Sequence, residues 1–173
     1  MNASQIAPGD TGKPDAAAAA AGAPAAGPVF RRILLPTDGS DASQRAILAG
    51  VAFARELGAD VVGLTAVPSF RVLSADPDML EDTPEQYAAA SARRARRMLA
   101  DVENAARAAG VPCRLEQVNA DRPYEAIVEA AARLGCDLIL MASHGRRGLH
   151  GLLLGSETER VLVHGTVPVL VHR

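Results

Sequence analysis

One stretch of the sequence concentrates residue types that could hold an anion. It runs from Met141 through Ala142-Ser143-His144-Gly145-Arg146-Arg147-Gly148 to Gly155-Ser156-Glu157-Thr158-Glu159. Glycines stand at 145, 148, 151 and 155. Glycine tolerates positive φ and lets a ligand come close to the backbone. A helical pattern opens at Ser156, so Gly155 immediately precedes a helix N-terminus, where unpaired N–H groups and the helix dipole favour negative charge. Ser156 and Thr158 add hydroxyl donors, and Arg146 and Arg147 add positive charge. Together these residues describe a phosphate cradle. The same letters also describe an ordinary helix start. Ser156-x-x-Glu159 has the spacing of a capping box, and loop glycines can serve flexibility alone. Glu157 suits the helix dipole but would repel a phosphate placed beside it. Neither a Walker A motif nor GxGxxG occurs in the sequence.

Composition limits what else such a cradle could use. The chain has 173 residues, 49% hydrophobic and 22% charged, with a formal net charge of −2. No strong field draws it to nucleic acid or to an anionic membrane. Aromatic residues make up 3% and Trp is absent, too few for a base-stacking platform. The only lysine, Lys13, lies near the N-terminus, so phosphate chemistry in the body must rely on backbone N–H groups, arginine or a metal ion. Cys113 and Cys136 form no CxxC and no Cys/His cluster, which argues against a zinc module or a disulfide framework. Both read as small buried hydrophobes.

The elements that must position the loop follow from hydrophobic periodicity. Residues 1–28, rich in Ala, Gly and Pro, read as a disordered tail. They lack the basic n-region and strongly apolar core of a signal peptide, and no window reaches the ~20 apolar residues of a membrane span. A cytoplasmic protein is expected, with its domain at 29–173. In that body, apolar runs alternate with helical patterns. Strands are expected at Ile33–Leu35, Val61–Val67, Cys113–Val118, Leu138–Met141 and Val167–His172. Helices fall between them, near 41–57, at Pro84–Ala109, after Asp121 as cap, and from Ser156. Strict alternation points to βαβ units and a doubly wound, five-stranded parallel sheet with helices on both faces. Strands one and four are continuously apolar and belong at the centre. Arg114 and Glu116 alternate with apolar residues, as on an edge strand. The order 3-2-1-4-5 fits, and in such sheets ligands sit beyond the strand carboxyl ends where the order reverses, here between strands one and four.

Two stretches carry a family resemblance. Ile33-Leu34-Leu35-Pro36-Thr37-Asp38-Gly39-Ser40 and the segment Met141–Val171 resemble the universal stress protein family, and the likeness extends over about residues 30–173. Members that bind ATP carry G-x2-G-x9-G-[S/T]. Here Gly145 and Gly155-Ser156 match that motif, and Ala142 replaces its first glycine. The resemblance implies the same strand order and ATP as ligand, with Mg²⁺ offsetting Glu157. It implies that Pro36, Thr37 and Asp38 line the adenosine end, and that Ala66 offers backbone groups to adenine. Gly145, Gly155, Ser156 and Thr158 would hold the phosphates, in a loop that also brings Met141, Ala142, His144, Arg146, Gly148 and Glu157 to the nucleotide. From the residues alone, Asp38 reads equally as a turn residue before Gly39.

The remaining features read more plainly. Arg93, Arg94, Arg96 and Arg97 fan around a helix at about 100° per residue and form a solvated face rather than a nucleic-acid stripe. No GxSxG elbow supports a hydrolase, and no general base stands out beyond Asp38. The last strand would be a bare apolar edge, a pairing hazard unless covered, so a homodimer through residues 167–172 is expected, as the resemblance also implies. The reading is therefore a nucleotide-dependent regulatory or protective homodimer. Its alternatives are an interaction protein of the same fold without nucleotide, and a weak ATPase or phosphotransferase.

Overall fold

The computed structural model describes residues 29–69, 83–144 and 154–173. The expected tail, residues 1–28, lies outside them. Five parallel strands form one sheet: β1 (Arg32–Pro36), β2 (Asp60–Val67), β3 (Cys113–Asn119), β4 (Leu138–Ala142) and β5 (Val169–His172). Their order is β3-β2-β1-β4-β5. The helices are α1 (Asp41–Leu57), α2 (Pro84–Ala109), α3 (Pro123–Arg133) and α4 (Ser156–His164).

The strands at the centre are apolar on both faces because both faces are covered. Alternate residues of β1 feed two cores. Ile33 and Leu35 pack with Ile47 and Val51 of α1 and Val102 and Ala106 of α2. Leu34 packs with Ile139 and Met141 of β4, Ile127 and Ala131 of α3, and Val161 of α4. Leu34 and Ile139 are fully buried, and truncating either to alanine would cost about 2–5 kcal/mol. β3, with its alternating polar residues, is one edge of the sheet, and β5 is the other.

Local signals set most boundaries. Ser40 caps α1, its hydroxyl oxygen accepting the Ser43 N–H at 3.1 Å. Thr83 and Gln86 form a reciprocal capping box on α2. Tertiary structure overrides two expectations. Asp121 does not cap α3; Arg122 occupies the N-cap without a side-chain cap bond, and the Asp121 carboxylate accepts the Ser69 N–H at 3.2 Å instead. Cys136 is buried, and burial pushes its thiol up to about 11. Cys113, at the start of the edge strand, is exposed rather than buried. The four arginines of α2 are exposed, as a solvated face requires. Among the described residues no helix is long and apolar enough to cross a membrane.

Candidate functional site

The sheet opens where its order reverses. β1 stays in register with β2 as far as Pro36↔Leu64, and β4 with β5 as far as Ala142↔His172. Between β1 and β4 the register covers only Ile33↔Leu138 and Leu34↔Ile139. The paired register thus stops short of the carboxyl ends of both strands, and the switch point there, between the loop that enters α1 and the residues Leu154 and Gly155 that enter α4, is the candidate crevice.

The β1 side is a closed network of hydroxyls. The Ser43 hydroxyl donates to the Ser40 carbonyl at 2.8 Å. Its single proton is thus used, so the 3.1 Å contact with Thr37 has the Thr37 hydroxyl as donor. Thr37 Oγ1 also accepts the Gly39 N–H at 3.2 Å. The Thr65 hydroxyl donates to the Thr37 carbonyl at 2.9 Å, and the Thr37 N–H donates to Leu64. Thr37 is buried. Asp38 accepts the Ser40 N–H through Oδ1 at 3.0 Å, the turn role that its place before Gly39 suggested. Gly39 has φ +73°, and a Cβ there would lie 2.9 Å from Met98 Cγ, so both conformation and space call for glycine. Pro36 ends β1 and Ala66 lies near the end of β2, both half-buried.

The β4 side is built differently. Met141 and Ala142, the last two residues of β4, are buried. Met141 belongs to the α3–α4 core, whereas Ala142 joins Leu35, Ala42 and Ala46 in the α1 core. Among the described residues no non-glycine has positive φ, so position 142 here needs little bulk rather than a left-handed backbone. The Ser143 N–H donates to the His172 carbonyl at 2.7 Å. Its hydroxyl lies 3.0 Å from His144 Nδ1. Gly155 folds back onto this strand end, its N–H donating to the Ser143 carbonyl at 2.8 Å. Its φ of −65° is open to any residue. What favours glycine is space, because a Cβ would lie tight against His144 Cα at 3.1 Å and the Ser143 carbonyl oxygen at 3.4 Å.

The capping box is not made at the start of α4. Gly155, not Ser156, is the N-cap, and it makes no side-chain cap bond. Ser156 is therefore the first helical residue, and the capping box suggested by Ser156-x-x-Glu159 does not form. Thr158 is buried, and its hydroxyl donates to the Ala142 carbonyl at 3.0 Å. Its side chain thus ties α4 to β4 and contributes no hydroxyl proton to a ligand. The Glu157 carboxylate is turned away toward α3. Oε2 accepts the Tyr124 N–H at 2.9 Å, and Oε1 accepts from Arg160 at 3.0 Å. The Arg160 guanidinium lies 5.5 Å above the Tyr124 ring. Beside them, hydrogen bonds from Arg122 and then Tyr124 hold the Glu125 carboxyl below its ordinary range. Gly145, Arg146 and Gly148 lie outside the described residues.

A separate open cavity of about 580 Å³ lies between the end of β3 and α3, lined by Ala120, Arg122, Glu125, Glu129 and Arg133 among others. Its arginines are paired, Arg122 with Glu125 and Arg133 with Glu116, and it is distinct from the β1–β4 crevice. Sequence reasoning did not find the Tyr124–Arg160 anchor of Glu157. The spacing of Glu157 and Arg160 signals half of it, but nothing in the sequence signals Tyr124.

The fold is that of a doubly wound α/β protein, with its candidate site at the topological switch point. Comparison with known proteins names the group. The model of the universal stress protein family matches residues 30–173, and the chain belongs to that family. It is 32% identical over 154 residues to the universal stress protein MJ0531 of Methanocaldococcus jannaschii, covering 83% of this chain and 82% of that one. Among solved structures, the universal stress protein UspA from Lactobacillus plantarum superposes with a TM-score of 0.70 at 25% identity, over 83% of this chain and 98% of that one. A universal stress protein solved in complex with cAMP shares the fold, with a TM-score of 0.61 at 24% identity over 83% and 97% of the two chains.

Proposed function

We propose that this protein binds an adenine nucleotide, ATP with its Mg²⁺, in the crevice between β1 and β4. On this reading it acts in the cytoplasm as a homodimer whose regulatory or protective activity depends on the nucleotide. The observation that carries the reading is the bare start of α4. Each of the other three helices has a side-chain oxygen on its first amides: Ser40 on α1, Thr83 on α2 and, across space, Glu157 on α3. Among the described residues α4 has none. Its first N–H groups have no partner within the helix, and they open at the crevice where ligands of such sheets bind. A phosphate there would gain charge-assisted hydrogen bonds worth about 1.5–3 kcal/mol each.

In this arrangement the backbone amides of Ser156, Glu157 and Thr158 receive phosphate close beside Gly155, whose own N–H is committed to the Ser143 carbonyl, joined by the Ser156 hydroxyl and by Gly145, Arg146 and Gly148. Met141, Ala142 and His144 shape the wall. Pro36, Thr37, Asp38 and Ala66 receive the adenosine. Mg²⁺ would arrive with the phosphates. The relative that holds cAMP supports an adenine nucleotide on this fold. Exposed Leu170 on the edge strand β5, with Leu162 and Val163 exposed on α4, supports pairing through that edge.

Two measurements test the site. Heat-denatured purified protein should release an adenine nucleotide, and calorimetry on emptied protein should show saturable binding of ATP. Absence of both would refute the reading. For the assembly, gel filtration at micromolar concentration should give a dimer; a monomer would count against pairing through β5.

A further inference from the structure

Glu157 presents a conflict that the structure resolves in a specific way. A carboxylate in the first turn of α4 stands among the amides proposed to receive phosphate, where its charge would oppose a polyphosphate. Instead the side chain crosses to a helix 33 residues earlier, where Oε2 accepts the Tyr124 N–H. Arg122, the N-cap of α3, makes no side-chain cap bond, its guanidinium being paired with Glu125, and Pro123 has no N–H to offer. Glu157 therefore fills the N-cap function for α3 from another element. Oε1 is held by Arg160, one turn along α4, and the Arg160 guanidinium rests on the face of Tyr124. The Tyr124 ring continues the contact to His164, with ring centroids 5.3 Å apart. One cluster thus joins the start of α3 to both ends of α4.

We infer that Glu157 is a positioning residue for the nucleotide site: by capping α3 it fixes the first turn of α4 against α3 and keeps its own charge out of the crevice. This rests on the proposed phosphate site. The alternative is that Glu157 acts on a bound phosphate directly, by repulsion. The two make opposite forecasts. Removing a repelling carboxylate tightens ATP binding. Removing a positioning carboxylate loosens it, and leaves a ligand without phosphate untouched.

The test compares ATP and adenosine by calorimetry on the emptied full-length protein and on its Glu157→Ala and Glu157→Gln variants, with melting temperatures recorded for each. Glutamine keeps an oxygen for the Tyr124 N–H but carries no charge. The expected result is ATP affinity about tenfold weaker in Glu157→Ala and within about twofold of wild type in Glu157→Gln, with adenosine affinity unchanged in both. ATP binding that is equal or tighter in Glu157→Ala overturns the inference and leaves the phosphate site standing. Equal losses for ATP and adenosine assign Glu157 a purely structural role and overturn it as well. If Glu157→Ala fails to fold, Glu157→Gln decides: ATP affinity several-fold above wild type means repulsion and overturns the inference, and affinity within twofold supports it. Wild-type protein that binds neither ligand refutes the phosphate site itself, and the inference falls with it.

Discussion

Two helices start at the mouth of the same crevice and treat their free amides in opposite ways. At α1, the Ser40 side chain accepts the Ser43 N–H, Asp38 accepts the Ser40 N–H, and Thr37 and Ser43 close the loop with hydroxyls. At α4, the cap position is a glycine without a side chain, and the neighbouring carboxylate is drawn off to another helix. Helix dipole and orphan donors are generic to both. Whether an anion can use them depends on what the chain has already placed there. A motif of glycine and hydroxyl letters therefore says less than the list of donors still unspent, and that list favours α4 over α1.

The largest expected effect breaks the α4 side. Gly155→Glu would push a side chain toward His144 Cα and the Ser143 carbonyl and add a charge at the cap. ATP affinity should fall by about a hundredfold or more in calorimetry, since even one well-placed phosphate hydrogen bond is worth about 1.5–3 kcal/mol. A paired experiment sharpens the contrast. Ser40→Ala should lower unfolding free energy by about 0.5–2 kcal/mol in urea titrations, the usual value of an N-cap, with the site's phosphate preference unchanged. Ser156→Ala should do the reverse: less than about 0.5 kcal/mol in stability, as for other exposed residues that make no cap, but ATP binding several-fold weaker. The smallest effect concerns the departure from the family motif. Ala142→Gly would remove a methyl that packs in the α1 core and add backbone freedom, costing about 1 kcal/mol. It should improve ATP affinity by no more than about twofold. A tenfold gain would mean that the alanine methyl obstructs the ligand.

Much of this was legible in the sequence, and the reason is physical. Continuous apolar runs at Ile33–Leu35 and Leu138–Met141 have only one place in a doubly wound sheet, the centre, and Gly58 and Gly110 each end a helix in the left-handed conformation. The pattern of short-range spacing was less reliable wherever a polar side chain had a distant partner available. Asp121 is spent on Ser69, 52 residues earlier, and Glu157 on Tyr124. Ser156 lost the cap position by a single residue, because Gly155 lies close enough to the end of β4 to hydrogen-bond Ser143. Thr158, a natural candidate for phosphate by type, is committed to the Ala142 carbonyl. Local sequence names the groups that could act, and long-range pairing decides which remain available.

The most direct test follows backbone amides by two-dimensional ¹H–¹⁵N NMR as ATP is added to emptied protein. The account predicts the largest shifts at the Ser156, Glu157 and Thr158 amides, with those of Ala42 and Ser43 at the start of α1 moving far less. Larger shifts at the α1 start, or none at either helix under saturating ATP, would contradict it.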